Sequence, residues 1–388
     1  MRRLPFEYAV RNLGRSPMRL VASVLGGALV ALLALSAGGF VRGMEKSLAV
    51  SAGEANVMLL GAGSEESVER SEIRPNVDTL VAGSVPGIRE SLGVPYVSPE
   101  VHVAMVVRTS PEDDRDSQAI LRGVTPTAFL VHPQVQIIEG AAPKQGAYQV
   151  MVGQLTATRM GIAPSELAIG RTLWFDNHQW TITGHFAAPQ TVMDAEIWMP
   201  LTDLRIATRR ETISCVVLSL DTATLDDVRI WAAQRLDLEL VAVREADYYA
   251  GLLAFYKPVR MMVWIAAALI ALGGLFGGLN TMYAAFATRI REIGALQTLG
   301  FPRRAIIVSF LQESTLAMTA GAVVASMLGL WLLNGLAVRF SMGAFAITID
   351  APVLLLGLLS GVALGAIGVI PPLWRCLRLP IAQAIRMS

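Results

Sequence analysis

The chain has 388 residues, of which 53% are hydrophobic and 16% charged, and its mean hydropathy is +0.51. This composition is too apolar for a soluble protein and too polar for one that lies wholly within a membrane. The net charge of +1 excludes little by itself, because acidic and basic side chains are separated along the sequence.

Four stretches contain no charged residue, and we interpret each as a transmembrane α-helix. They comprise residues 20–41, 261–288, 314–338 and 351–374. Each is longer than the ~20 residues with which a helix crosses a ~30 Å hydrocarbon core. The first also exceeds the ~7–15 apolar residues of a cleavable signal peptide, which favours an uncleaved anchor.

The charges on either side of these stretches predict the orientation. Residues 42–260 carry 19 basic and 27 acidic side chains, a net charge of −8, whereas 1–19, 289–313 and 375–388 are rich in arginine. Arginines in short segments stay on the cytoplasmic side of a membrane. We therefore expect a multi-pass protein of the inner (cytoplasmic) membrane with both termini in the cytoplasm. The large domain 42–260 and the short loop 339–350 would lie outside it.

We expect this outer domain, inserted between helices one and two, to have an α+β fold. Alternating apolar and polar residues predict strands at Asn56–Leu60, Val101–Arg108, Gln118–Arg122, Thr172–Phe175, Gln179–Phe186, Ile213–Leu220 and Leu238–Val241. Helices are expected at Val77–Ser84, Gly153–Met160, Leu201–Thr208, Leu225–Arg235 and Ala246–Tyr256. Thr224 or Asp221 could cap the helix from Leu225.

The acidic run Pro111–Ser117 interrupts this pattern. Its Asp113, Asp114 and Asp116 lack the spacing of a calcium loop, so we expect a solvated loop between two lobes. The two cysteines, Cys215 and Cys376, are expected on opposite sides of the membrane, so the domain must fold without a disulfide.

The sequence carries no common catalytic or metal-binding motif. It contains no GxxxxGK[ST] phosphate loop, no HExxH and no GxSxG. The four histidines have no Cys/His cluster near them in the sequence, and we expect surface or core roles for His178 and His185. The predicted spans hold no ionisable side chain, which argues against an ion-driven transporter or a charged pore.

Small residues recur at four-residue spacing in two of the predicted spans. They are Gly273, Gly274, Gly277 and Gly278 in the second span and Gly357, Gly361 and Gly365 in the fourth. Such faces let helix backbones approach closely in lipid. Packing within one bundle and a seam between two copies are both compatible with this pattern.

Two segments on the expected cytoplasmic side have amphipathic patterns. Phe6, Ala9, Val10 and Leu13 predict a helix along the inner membrane surface. After the second span, apolar residues recur every three positions, at Ile290, Ile293, Leu296 and Leu299. Gly300 can end this second helix and Pro302 can start the next. We expect its apolar stripe to be exposed, which would suggest a partner's groove.

The second of these segments and the C-terminal tail resemble the corresponding parts of the permease subunit of MacB/FtsX-type ABC transporters. This group includes the lipoprotein-release permeases. The matching residues are Arg291-Glu292-Ile293-Gly294, Leu299-Gly300, Phe310-Leu311, Glu313 and the tail Leu379–Arg386. In that tail, Gln383 stands where the family has glutamate. A weaker resemblance in the outer domain involves Gly170-Arg171, Trp180–Gly184 and Pro200-Leu201.

The resemblance implies a non-catalytic permease subunit that pairs with a second copy or a similar permease and with a separate ABC ATPase. ATP and magnesium would be bound by that ATPase and not by this chain. The coupling helix that docks on it would comprise Ile290, Arg291, Glu292, Ile293, Gly294, Leu296, Leu299 and Gly300. Spans one and two would continue as a stalk through Gly43–Ser51 and Ala246–Tyr256. A membrane-fusion or periplasmic adaptor protein and membrane lipid are further expected partners; nucleic acid is not.

Three functions are compatible with these features. The first is export or extraction of a periplasmic or membrane-embedded substrate, such as a lipid, lipoprotein or drug. The second is non-transport transmission that regulates a cell-wall hydrolase. The third is a sensor without an ATPase, against which the coupling motif speaks. The size of the outer domain, about 219 residues, favours export over hydrolase regulation.

Overall fold

The structure is a computed structural model that describes residues 6–15, 17–112, 116–287, 289–340 and 343–377. It divides into two compact units. The unit that we call the helical unit comprises Met1–Arg42, Pro258–Leu336 and Ile347–Ser388. The unit that we call the sheet domain comprises Gly43–Lys257 and Ala337–Ala346.

The described residues form α-helices and β-strands with the following bounds. The helices are α1 Phe6–Gly14, α2 Pro17–Ser51, α3 Val77–Ser84, α4 Ala128–Val131, α5 Thr156–Met160, α6 Leu201–Ala207, α7 Leu225–Gln234, α8 Glu245–Phe255, α9 Lys257–Ala287, α10 Ile290–Thr298, α11 Arg303–Leu332 and α12 Ala351–Leu377. The strands are β1 Asn56–Gly61, β2 Glu90–Ser91, β3 Val94–Pro95, β4 Val97–Val107, β5 Ser117–Val124, β6 Gln136–Gly140, β7 Gln149–Gly153, β8 Thr172–Phe175, β9 His178–Ala187, β10 Ile197–Pro200, β11 Cys215–Ser219, β12 Leu240–Arg244, β13 Ala337–Phe340 and β14 Gly343–Ala346.

The sheet domain is built on one mixed sheet, which has ten strands in the part of the chain described. Their order is β12-β1-β11-β4-β5-β10-β7-β9-β6, with β8 paired to β9. The pairs β5–β10 and β7–β9 are parallel and the others antiparallel. Both faces of β1 are buried, because Val57 and Leu59 join one apolar core while Met58 and Leu60 join another. Helices on both faces of the sheet supply the partners for these side chains.

The predicted α+β class of this domain is confirmed. The helix predicted at Val77–Ser84 is observed with these bounds, and Thr224 caps α7 by accepting a hydrogen bond from the backbone N–H of Asp227. All seven predicted strands are present; Thr172–Phe175 has the predicted bounds, and the ends of the other six are shifted. The prediction missed β6, β7 and β10, which are only four or five residues long.

The acidic run Pro111–Ser117 does not separate two lobes. Strands β4 and β5 are adjacent and antiparallel, with Val107 opposite Ser117, so the run connects the two strands of a hairpin. Asp113 and Asp114 lie outside the described residues.

The helical unit contains the long apolar helices. Among the described residues, three helices are long and apolar enough to cross a membrane: Leu20–Ser51, Arg303–Leu332 and Ala351–Pro371. A fourth passes if Glu245–Phe255 and Lys257–Gly273, which meet at a 46° bend, count as one span.

The boundaries predicted for the third span need correction. Helix α11 starts at Arg303 and ends at Leu332, so the predicted span 314–338 runs past its end. Gly335 then adopts a positive φ of 82°, which reverses the chain. The predicted loop 339–350 contains most of a hairpin, β13–β14, that belongs to the sheet domain.

Helices α2, α11 and α12 pack closely through glycines. A Cβ added at Gly321 would lie 2.2 Å from the carbonyl oxygen of Val24, and one at Gly361 would lie 2.5 Å from the Cβ of Ala322. Gly357 and Gly365 are similarly crowded by Leu35 and Thr315. The glycines of the predicted fourth span therefore serve packing within this chain.

Gly273 differs from these glycines, because a Cβ added there meets no described atom within 4 Å. The side-chain surroundings of Gly274, Gly277 and Gly278 lie outside the described part of α9. The alternative of a seam between copies therefore stays open for this helix.

We expect Gly361→Leu to destabilise the helical unit, since overpacking of this kind costs ~1–3 kcal/mol or more. Gly26→Leu is the matched control and should leave the unfolding temperature unchanged, because a Cβ added at Gly26 of α2 meets no described atom within 4 Å. Thermal unfolding of the full chain in nanodiscs, followed by tryptophan fluorescence, measures both. Equal unfolding temperatures for the two variants would contradict the packing described.

Candidate functional site

Helix α10 is the short helix that the sequence predicts between the second and third spans. It starts after Arg289, and Gly300 follows it with a positive φ of 83°. The backbone N–H groups of Gly300 and Phe301 donate to the carbonyls of Gln297 and Leu296, which closes the helix end. Pro302 lies at the N-cap of α11. The predicted stop and start of these two helices are confirmed.

The expectation that the whole apolar stripe of α10 is exposed is wrong. Ile293 and Leu296 are only 2% and 7% exposed. They belong to a cluster formed with α11 and α12, whose other buried members are Ile306, Phe310, Val369 and Leu373. A three-residue spacing marks one apolar face, and here the chain's own helices cover that face. Gly294 is buried as well.

Arg289 fixes the start of α10 by ion pairs in two directions. Its Nε donates to Glu292 Oε2 at 2.7 Å, and its Nη1 donates to both carboxylate oxygens of Glu313 at 3.0 and 3.1 Å. The guanidinium carbon lies 4.2 Å from the centre of the Phe310 ring, a cation–π contact. Arg289 thereby joins α10 to α11.

Helix α1 completes this network. The Tyr8 hydroxyl donates to Glu292 Oε1, and Asn12 Nδ2 donates to Glu313 Oε2 at 2.8 Å. Asn12 is 4% exposed, so this contact is buried. We call Arg289, Glu292, Glu313, Tyr8 and Asn12 the arginine network.

The pKa shifts in this network follow from burial and charge. Burial favours the neutral form of Glu292, but hydrogen bonds from Arg289 and Tyr8 outweigh it and lower the pKa of the carboxyl. Burial also lowers the pKa of Arg289, and the bond to Glu292 and the charge of Glu313 more than reverse this. Burial and the bond to Glu292 raise the pKa of Tyr8 to about 12. Near neutral pH Arg289 and Glu292 therefore stay charged and Tyr8 keeps its proton.

The carboxyl end of α10 remains uncovered. Ala295, Thr298 and Gly300 are exposed, and Leu299 is 62% exposed. Ile290 is half-buried, and the Arg291 side chain lies outside the described side chains. Of the predicted coupling residues, Leu299 and Gly300 are therefore exposed, whereas Glu292, Ile293 and Leu296 make contacts within the chain. The tail motif Leu379–Arg386 lies outside the described residues.

A second cluster of polar side chains lies in the sheet domain, and the sequence patterns did not predict it. Arg122 on β5 pairs with both oxygens of Glu196 at 2.8 and 2.9 Å and with Glu100 Oε2 at 3.0 Å. His102 and His132 bond the two oxygens of Glu100 at 3.0 and 2.8 Å. All five side chains are at most 5% exposed. We call them the buried charge cluster.

Sheet register explains how the cluster assembles. Glu100 and His102 are two residues apart on β4 and so share a face, and Arg122 is directly opposite His102. Arg122 is also opposite Trp198 on β10, which follows Glu196 closely. No single segment carries enough of these residues to indicate the cluster, because strands β4 and β5, the residue before β10 and the residue after α4 supply them.

The cluster is electrostatically balanced. Burial would raise the pKa of Glu100, but the charges of His132 and Arg122 hold it well below its usual value. Burial likewise would lower the pKa of His132, and the charge of Glu100 raises it instead. Burial and the charge of Arg122 lower the pKa of His102, which stays neutral. Removing one partner would leave a buried charge uncompensated, a loss of ~3–5 kcal/mol.

Glu100, His102 and Cys215 bring possible metal-ligand atoms within 4.8 Å of one another. However, Arg122 and His132 already occupy the Glu100 carboxylate. Burial raises the pKa of the Cys215 thiol well above its usual value, so it lacks the thiolate that binds metals. The donor set therefore fits an ion-pair cluster better than a metal centre.

Family comparisons agree with the features of both units. Residues 20–233 match the model of the MacB-like periplasmic core domain, and 264–381 match the FtsX-like permease C-terminal model. The chain is 24% identical over 338 residues to a macrolide export ATP-binding/permease protein MacB from Marinobacter nauticus, with coverage of 82% of this chain and 50% of the relative. The MacB protein from Bradyrhizobium diazoefficiens is also 24% identical, with coverage of 64% and 40%.

A solved structure of the periplasmic region of MacB from Actinobacillus actinomycetemcomitans aligns with a TM-score of 0.39 and 11% identity, and covers 52% of this chain and 94% of that one. The chain spans about half the length of the curated relatives it matches. Because the core-domain model alone matches more than half of the 388 residues, the chain belongs to the family of MacB/FtsX-type ABC transporter permeases.

Proposed function

We propose that this permease transmits the motion of a separate ABC ATPase to its sheet domain, and so exports or extracts a periplasmic or membrane-embedded substrate. The observation that carries the proposal is the construction of α10. Its carboxyl end is exposed at Leu299, while the arginine network and an apolar cluster hold the rest of it against α1, α11 and α12. A force applied to this end is therefore passed to the long helices.

The proposal includes four membrane spans, with α9 as the second, and both termini in the cytoplasm. Arginine-rich segments beside the spans and the acidic sheet domain support this orientation. A second copy of the chain would pack on α9, since Leu269, Leu272 and Phe276 are 49–68% exposed and a Cβ added at Gly273 would meet no described atom within 4 Å. ATP and magnesium would be held by the ATPase.

The curated relatives are named for macrolide export, which supports an export role here.

Cysteine labelling in intact cells tests the orientation. The background chain carries Cys376→Ser and keeps Cys215, which is fully buried and has a raised pKa and so reacts slowly. We expect a membrane-impermeant maleimide to label Leu92→Cys, at a fully exposed turn of the sheet domain, and not Thr298→Cys. Labelling of Thr298→Cys without permeabilisation would reverse the orientation.

Substitution at the tip of α10 tests the coupling role. We expect Leu299→Asp to weaken binding of the ATPase ~10-fold or more, because a carboxylate in an apolar contact lacks a partner and ~1.4 kcal/mol already produces that change. Leu236→Asp is the matched control, since Leu236 is also exposed but lies in the sheet domain. Co-purification and ATP turnover are the measurements.

Ile293→Asp is unsuitable for that purpose, because it buries a charge inside the chain's own cluster and would unfold the helical unit. If Leu299→Asp and Leu236→Asp retain the ATPase equally well and turn over ATP at the wild-type rate, α10 is not the docking helix.

A further inference from the structure

The sheet domain contains a cavity of about 250 Å³ with one apolar side. Tyr248, Leu252 and Tyr256 of the α8 segment, Leu48 of α2 and Phe345 of β14 form that side. The segments of α2 and α8 in this wall are those by which the chain enters and leaves the domain. The cavity is large enough to hold the apolar chain of a small amphiphile.

A buried arginine lies on the polar side of the same cavity. Arg159 on α5 is 3% exposed, and its Nη2 atom is buried without a hydrogen-bond partner among the described residues. The Nε of this side chain donates a long bond of 3.4 Å to the Gln118 carbonyl. An unbonded guanidinium nitrogen in such a position is costly, and a ligand oxygen would relieve that cost.

The other buried carboxylates around the cavity already accept hydrogen bonds from the chain. Glu100 and Glu196 bind Arg122, and Glu245 accepts hydrogen bonds from the Gly53 backbone and the Asn56 amide. This leaves the donor of Arg159 for an anionic oxygen from outside the chain.

Glu69 is the partly buried carboxyl beside Arg159 on the cavity wall. Burial raises its pKa, and the charge of Glu196 acts in the same direction, although Arg159 opposes both. When protonated, Glu69 can donate a second hydrogen bond to an oxygen held by Arg159. A ligand with two negative charges would be disfavoured by Glu196 and by an ionised Glu69.

We propose that this cavity binds an amphipathic monocarboxylate, with its carboxylate on Arg159 Nη2 and its apolar chain against Tyr248, Leu252 and Phe345. A cationic amphiphile would be repelled by Arg159, and a purely apolar molecule would leave Nη2 without an acceptor. The site rests on the geometry of the sheet domain and does not depend on the coupling role of α10.

Calorimetric titration of the full chain in nanodiscs, corrected with empty nanodiscs, tests the ligand class. The probes are octanoate, octanol and octylamine, which share a chain and differ in charge. We expect octanoate to bind at least ~10-fold more tightly than the other two, as expected for a charge-assisted hydrogen bond. Equal affinities for all three, or tighter octylamine binding, would overturn the proposal.

Octanoate binding by variants of the chain tests whether the ligand lies in this cavity. Arg159→Gln should weaken octanoate binding ~10–100-fold, whereas Arg171→Gln, an exposed arginine of the same domain, should not change it. Leu252→Trp should abolish binding by filling the apolar side. If Arg159→Gln fails to fold, the Leu252→Trp variant and the probe series decide the matter. Octanoate binding that survives Leu252→Trp unchanged would place the ligand elsewhere and refute the assignment.

Discussion

The bidentate ion pairs of Arg289 are the interaction on which the proposed mechanism depends. One guanidinium holds Glu292 on α10 and Glu313 on α11, and those two carboxylates bind Tyr8 and Asn12 on α1. Arginine suits this position because its planar fork bonds two carboxylates at once and stays charged when buried. Without it, α10 would be attached only by its apolar face and by the hydrogen bond from Tyr8 to Glu292. With it, α1, α10 and α11 are joined by ion pairs and hydrogen bonds, and the position of α10 depends on that of α11.

Close packing extends this connection along the helical unit. At Gly321 and Gly361 the backbones of α2, α11 and α12 approach so closely that a methyl group would not fit. Close packing of this kind suits mechanical transmission better than passage of a polar solute. The sheet domain has its own internal support in the buried charge cluster, where Arg122 on β5 joins Glu100 on β4 to Glu196, which immediately precedes β10. Each unit is therefore held together by its own internal contacts, as the proposed transmission of force requires.

Sequence patterns predicted the parts of this chain that depend on local rules. The Thr224 cap and the turn at Gly300 each depend on only a few neighbouring residues, and the structure contains both. Periodicity correctly found the apolar stripe of α10, but it could not show that α11 and α12 cover Ile293 and Leu296. The buried charge cluster depends on register between strands far apart in sequence. Strand β10 was missed because its four residues, three of them buried, do not alternate between apolar and polar.

The most direct test of the central claim is a distance measurement between the two sheet domains of the proposed dimer, reconstituted with its ATPase. Spin labels at Leu92→Cys report the separation with and without ATP. The comparison variant is Arg289→Lys, which keeps the charge but cannot hold Glu292 and Glu313 in the same bidentate geometry. The account predicts an ATP-dependent change in the wild-type distance, and in Arg289→Lys continued ATP hydrolysis with a much smaller change. A full distance change in Arg289→Lys would contradict the role assigned to the arginine network.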